Sequence, residues 1–337
     1  MLFASILAFA FTAIAVYFLL DFVKVFFIGA GYYGLDVHKP DTPRVATMGG
    51  LISLAVVVAV AFASMTIINQ AAREFIALFI VIFGYYGLLG LYDDLKGLRG
   101  RAKLGLTLLG GIVVYIIARL LGIYLYSARP YLPIIGEIHG VFFLYPFFIP
   151  VAFAVSSNAF NMFDVYNGTL SFASTVVFIL LGVLVLLAGV AHYAVLDSFL
   201  AFVCAGASLG LFLINRYPSR FFLGDVGSLS LGSALAFIAI TGRLEVVTAV
   251  AIMPMLMNGF ISFGSVGKLF ERHEIGERPV RVSNGMIFSN RRPGAPMSLA
   301  NVLASKKPLS EKQMIHRFYI LSLVGAALAA VTFFLTW

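Results

Sequence analysis

Two carboxylates stand side by side at Asp93 and Asp94 in YDDLKGLRGRAKL (92–104), followed by the bases Lys96, Arg99, Arg101 and Lys103. Adjacent acids at the end of an apolar run are costly near lipid unless a cation or a chemical task compensates them. Carboxylates beside bases suit a site that handles Mg²⁺ and phosphate together. A second segment, SSNAFNMFDVYNGTL (156–170), repeats Asn158, Asn161, Asp164 and Asn167 at intervals of three. On a helical continuation these side chains share roughly one face. Such a face offers oxygen ligands and hydrogen-bond partners for a nucleobase. A third, RYPSRFFLGDVGSLSLG (216–232), sets Asp225 among Gly224, Gly227 and Gly232, which permit close backbone approach by a ligand. It lacks the Gly-Lys-Ser/Thr ending of a P-loop.

Two further segments are basic. KLFERHEIGERPVR (268–281) groups Arg272, His273, Arg278 and Arg281, a set suited to a pyrophosphate. His273 has the chemistry of a general acid–base group. LDVHKPDTPRVATMGG (35–50) stiffens a loop with Pro40 and Pro43 and carries His38, Lys39 and Arg44. Each segment alone has a plainer structural reading: a positively charged anchor, an Asn-rich cap, a glycine turn or a solvated loop. Their joint placement is the stronger observation.

The elements that must position these residues are membrane helices. The chain has 337 residues, 61% hydrophobic and only 11% charged, with a mean hydropathy of +1.01. Ordinary soluble domains are about 25% charged. A span needs roughly 20 apolar residues, and ten candidates meet or approach that length: 3–28, 47–68, 73–91, 103–122, 141–158, 169–190, 194–214, 227–241, 245–267 and 315–336. The first lacks the basic leader of a signal peptide and is expected to be retained. Ten crossings put both termini on one side. All of the 23 Lys and Arg residues except Arg73, Arg119, Arg129 and Arg243 then fall on the other. This bias predicts cytoplasmic loops at 29–46, 92–102, 159–168, 215–226 and 268–314, and both termini outside. All five chemistry-bearing segments lie on that face. The net charge of +8 is explained by the same bias and does not call for nucleic acid. The long loop 268–314 is broken by prolines, with a short amphipathic helix expected in PMSLANVLA (296–304). The single cysteine, Cys204, excludes an intrachain disulfide and leaves the compartment unread.

The chain resembles the polyprenyl-phosphate N-acetylhexosamine-1-phosphate transferases. The resemblance rests on HKPDTP…GG, YDDLKGLRGRAKL, NAFNMFDVYNG and FLGDVGS, in order and on the expected loops. YPSRFFLGD, RHEIGERP and MSLANVLASKKPLSEKQ are similar to the archaeal and eukaryotic dolichyl-phosphate branch. That branch uses UDP-GlcNAc, whereas the bacterial peptidoglycan branch carries a His-rich motif where only His273 remains. The resemblance implies an all-α polytopic transferase domain over 1–337, with 268–314 as a substrate-binding loop. It implies Mg²⁺, with Mn²⁺ as the alternative, held by Asn161 and Asp225. Asp93, Asp94, Asp164 and Lys103 would serve catalysis. Lys39, Lys96, Asn158, Asn167, Phe222, Arg272 and His273 would bind substrate, with Phe222 stacked on uracil. Two positions depart from the branch: Glu274 stands where a base is usual, and Asp164 is a bacterial-type feature.

The implied partners are a UDP-N-acetylhexosamine and a polyprenyl phosphate in the membrane, the cell membrane in a prokaryote. A homodimer is left open. In the implied reaction the lipid phosphate attacks directly and releases UMP; an aspartyl-phosphate on Asp164 is the two-step alternative. A secondary transporter would hold its charges near the bilayer midplane, in broken helices. The spaced aspartates of CDP-alcohol phosphotransferases are not found. A bacterial-type undecaprenyl-phosphate transferase is the nearest enzymatic alternative.

Overall fold

The computed structural model describes residues 2–39, 41–123, 130–139, 142–266 and 276–337. Arg272, His273 and Glu274, like Pro40 and Arg129, lie outside the described residues. Among the described residues, nine helices are long and apolar enough to cross a membrane, or ten if one bent pair is counted as a single span. The protein is therefore an all-helical, multi-pass integral membrane protein. Helices satisfy their own backbone polar groups, which the bilayer cannot do.

The spans are α1 (Leu2–Gly29), α2 (Gly50–Ser64), α3 (Gln70–Lys96), α4 (Gly100–Leu120), α5 (Tyr145–Phe163), α6 (Thr169–Ala188), α7 (Ala194–Asn215) and α8 (Gly224–Thr241). The bent pair is α9 (Glu245–Ala251) with α10 (Met253–Val266), and α12 (Glu311–Thr336) comes last after the short α11 (Leu299–Leu303). α1 is peripheral, with only 22% of its apolar window buried, whereas 89% of that of α8 is buried. α8 is thus the axle of the bundle, packed on α2, α3, α5 and α7.

Small residues let the backbones close on this axle, as expected where lipid gives no hydrophobic drive to helix association. A Cβ at Gly50 would lie 2.1 Å from the Gly227 nitrogen, one at Gly90 2.3 Å from the Asp225 carbonyl, and one at Gly232 2.5 Å from the Ser157 Cα. These contacts bring the ends of α3 and α5 against the start of α8.

Several expectations are revised. α3 runs on to Lys96, so Asp93 and Asp94 belong to its last turn and not to a loop. α5 stops at Phe163, because Asp164 has a non-helical ψ of 60°. The series 158–161–164–167 therefore does not share one helical face: its first two members are helical and its last two lie in the following turn. The span expected at 245–267 bends by 71° between α9 and α10. The long loop is not wholly irregular. It holds an antiparallel sheet of β5 (Val280–Ser283), β6 (Met286–Ser289) and β7 (Leu309–Ser310). The expected helix within 296–304 is present as the five-residue α11. The first loop is a ribbon of β1 (Tyr33–Leu35) on β2 (Arg44–Ala46), and a third ribbon pairs β3 (Tyr131–Leu132) with β4 (Gly136–Glu137) on the opposite face.

Candidate active site

The site is built where α3, α4, α5 and α8 end on one face. Lys103, in the first turn of α4, is 3% exposed. Its ammonium lies 2.5 Å from Asp93 Oδ2 and 2.9 Å from Asp225 Oδ2, and donates to Asn161 Oδ1 at 3.4 Å. Asn161 in turn donates to Ser228 Oγ at 3.0 Å. A buried charge without partners is prohibitive, and here one cation on α4 is shared by two acids and an amide from three other helices.

Asp94 does different work from its neighbour. Its Oδ1 accepts from the Asp225 backbone N–H at 2.9 Å and its Oδ2 from that of Val226 at 3.0 Å. It caps the α8 N-terminus from another helix, where free N–H groups and the helix dipole favour an anion. Gly224 makes this approach possible: it has φ of +76°, and a Cβ there would meet Asp94 Oδ2 at 2.7 Å. Asp93 also braces its own helix end, with Oδ1 accepting from the Leu98 N–H at 2.5 Å.

Asp94 and Asp225 line a cavity of about 320 Å³ together with Asp164, Asn167, Phe222 and, from the first loop, Asp36 and His38. Asp164 is half-buried in this recess. Burial, reinforced by the nearby Asp225 and Asp94 carboxylates, raises its pKa to about 7. Phe222 is set by backbone hydrogen bonds to the first loop: its N–H donates to Ala46 O at 2.7 Å and its carbonyl accepts from Gly49 at 2.9 Å. Its ring passes close to Gly34, where a Cβ would sit 3.1 Å away. Asn167 is buried and donates to Asp36 Oδ2 at 3.0 Å.

The structure thus brings together Asp93, Asp94, Lys103, Asn161 and Asp225 by direct contact, and Asp164, Asn167 and Phe222 around the adjoining cavity. It does not bring in Asn158, which bonds Thr107 Oγ1 and the Ala154 carbonyl between α4 and α5. Lys96 is exposed at the end of α3. Lys39 is not in the cavity lining; it pairs with Asp36 and with Glu311.

Sequence reading missed Asp36, Tyr166 and Asn215, all of which line the cavity. Asp36 and Tyr166 sit inside motifs already singled out, so motif membership was a usable signal. Asn215 directly precedes the RYPSRFF segment. Its Oδ1 accepts from Gly168 N–H at 2.8 Å and its Nδ2 donates to Phe221 O at 2.8 Å, which ties two cavity walls together.

Among the described residues, Asp93 and Asp225 share the Lys103 ammonium, and Asp94 and Asp164 lie beside Asp225. An all-oxygen donor set with excess negative charge fits Mg²⁺, a hard cation that prefers carboxylate ligands. Asp225 and Asn161 would hold the ion, with Asp93 beside them.

Residues 75–243 match the model of glycosyl transferase family 4. The chain is also similar to curated proteins named phospho-N-acetylmuramoyl-pentapeptide-transferase. It is 31% identical to that of Streptococcus agalactiae serotype Ia over 260 residues, 72% of this chain and 73% of that protein. Identity to that of Streptococcus pneumoniae serotype 19F is 33% over 215 residues, 61% of each chain, so this match spans about three fifths of the relative's length. The Lacticaseibacillus paracasei protein is 34% identical over 212 residues, 60% of this chain and 62% of that protein.

Proposed function

Because this chain belongs to glycosyl transferase family 4, we propose that it transfers a sugar 1-phosphate from a UDP-sugar to a polyprenyl phosphate and releases UMP. The observation that carries this reading is the convergence of Asp93, Asp225 and Lys103 beside a cavity floored by Phe222 and edged by amides. Two anionic phosphates must meet, and their repulsion is the main obstacle. Mg²⁺ bound at Asp225 and Asn161 would offset that charge.

The chain's own residues supply the rest. Phe222 offers a face for the uracil, and Asn167 an amide for its edge. Lys103 donates to a phosphate oxygen as charge develops on the leaving UMP. Asp94 keeps the α8 N-terminus fixed, so that Asp225 does not move between ground state and transition state. An acceptor phosphate oxygen bonds to the phosphorus that carries the sugar, and the bond from that phosphorus to the bridging oxygen breaks. The oxygen leaves with UMP, and the product is a polyprenyl diphosphate sugar. The acceptor needs little activation, because its second pKa lies near neutrality. For the lipid chain, an apolar recess of about 180 Å³ between α5, α8 and the bent α9–α10 pair offers a surface continuous with bilayer chemistry.

The first choice of donor is UDP-N-acetylglucosamine with a dolichyl-type acceptor, on the form of YPSRFFLGD and the last loop. Phospho-N-acetylmuramoyl-pentapeptide as the transferred group is the second reading, favoured by the names of the relatives. On either reading we place the catalytic face in the cytoplasm, in keeping with the Lys and Arg bias of the loops. The deciding experiment incubates purified protein with each UDP-sugar, a panel of polyprenyl phosphates and Mg²⁺ or Mn²⁺, and reads UMP release and lipid product mass. UMP release with one donor and a lipid gain of one sugar 1-phosphate is expected. No release with any donor would overturn the proposal.

A further inference from the structure

One cluster beside the cavity is not used by this chemistry. Asp36 is 2% exposed and Glu311 4% exposed, and Lys39 pairs with both: directly with Asp36, and at 3.4 Å with Glu311 Oε2. The two acids come from opposite ends of the chain. Asp36 follows β1 in the first loop, and Glu311 opens α12 immediately after β7. The backbone under Glu311 is fixed by a capping box, in which Ser310 and Gln313 bond reciprocally. Strand β7 anchors the same point to the last loop through its pairing with β6. The Lys39 ammonium also lies 4.7 Å over the Tyr217 ring, a stacking that limits its swing.

Asp36, Glu311 and His38 place one donor atom each within 4.8 Å of one another. The Lys39 ammonium already sits between both carboxylates, so the cluster reads as an ammonium clasp and not as a metal centre. Its output lies on the cavity. Asp36 lines the cavity and accepts from Asn167, which lines it too. Neither Glu311 oxygen has a hydrogen-bond partner among the described residues, so Glu311 is held to the cluster by its ion pair with Lys39, which it shares with Asp36.

We propose that Glu311 is a positioning residue for the donor nucleotide: with Asp36 it clamps Lys39, and the clasp holds Asp36 and Asn167 in register as a cavity wall. This rests on the transferase reading above. It adds that the last loop and helix set donor affinity from a residue that does not line the cavity.

The test compares Glu311→Gln, Glu311→Asp and Lys39→Gln with the wild type. E311Q should raise KM for the UDP-sugar about tenfold, leaving kcat and KM for polyprenyl phosphate within about twofold. E311D, which keeps the charge, should recover most of the affinity. In the K39Q background E311Q should add nothing further, because the two act through one contact. Equal changes for both substrates, a loss confined to kcat, or full additivity with K39Q would overturn the clasp. Amide hydrogen exchange needs no turnover: E311Q should speed exchange at 36–39 and E311D should not. A wild type that turned over no UDP-sugar would refute the reaction while exchange still judged the clasp, and unchanged exchange in E311Q would refute it.

Discussion

Buried charge occurs at both ends of this bundle, and the two ends treat it differently. On the site face, Asp93, Asp225, Asn161 and Lys103 converge from four helices, with Asp94 and Asp164 alongside. On the opposite face, three buried or half-buried contacts stand apart from one another among the described residues. Asp197 Oδ1 accepts from Thr241 at 2.5 Å, Glu245 accepts from Tyr145 at 3.0 Å, and Arg243 donates to Glu137 at 2.6 Å while lying 4.6 Å over the Tyr131 ring. Separate pairs fasten helix ends and ribbons. Convergence of like charges costs stability, and such a cost persists where a ligand or a reaction uses it. Burial of an acid is therefore a poor guide to function here, whereas the number of acids sharing one cation and one cavity is a good one.

The comparison breaks most decisively at Asp225. Asp225→Asn should lower Mg²⁺-dependent UMP release by about 1,000-fold or more, since it removes a ligand and a counter-charge together; a protein that stays monodisperse yet keeps near-normal turnover would remove the site from α8. Next comes Phe222→Ala. Loss of a stacking face for a base costs about 1–3 kcal/mol, so KM for the UDP-sugar should rise about tenfold or more with kcat little changed, as read by steady-state kinetics.

Asp164→Asn sharpens the contrast through pH. The folded chain raises this pKa from 3.8 to about 7, so folding favours the protonated acid. Its stabilising contribution is complete below about pH 3.8 and is lost as pH rises to about 7. In chelator, the thermal midpoint of D164N should draw ahead of the wild type from pH 4 to pH 7 and keep a constant lead above that, while turnover falls. A variant that is both less stable and less active at pH 8 would contradict the idea that this acid is held at the expense of the fold.

The smallest effect on chemistry belongs to the opposite face. Thr241→Val strips the hydrogen bond from a fully buried Asp197 oxygen, a loss of about 1–3 kcal/mol. The thermal midpoint should fall by a few degrees, with kcat and both KM values within about twofold. A kinetic defect as large as that of F222A would erase the distinction between the two faces.

The membrane architecture was legible from composition alone, because a chain this poor in charge has no aqueous surface to fold behind. Loop charge placed the acids on one side, and spacing within the motifs singled out Asp93, Asp164 and Asp225. Local pattern misled where a tertiary contact overrode it. A period of three in 158–167 suggested one helix face, but α5 ends at Phe163. Asp93 and Asp94 are neighbours of the same type, yet one neutralises Lys103 and the other caps α8. Asp36 and Glu311 are separated by nearly the whole chain; Asp36 is local to Lys39, but nothing local in the sequence joins Glu311 to either. The reason is physical: hydropathy and charge bias act residue by residue and survive in a linear string, while division of labour among acids depends on which helix end stands within about 3 Å. Glycines such as Gly90 and Gly224 set that distance by allowing backbones to close. Hydropathy and charge placement in the linear chain were enough to show that the acids gather on one face of a membrane bundle. Only the packing around α8 decided which carboxylates share a cation, which brace the scaffold, and which line the cavity.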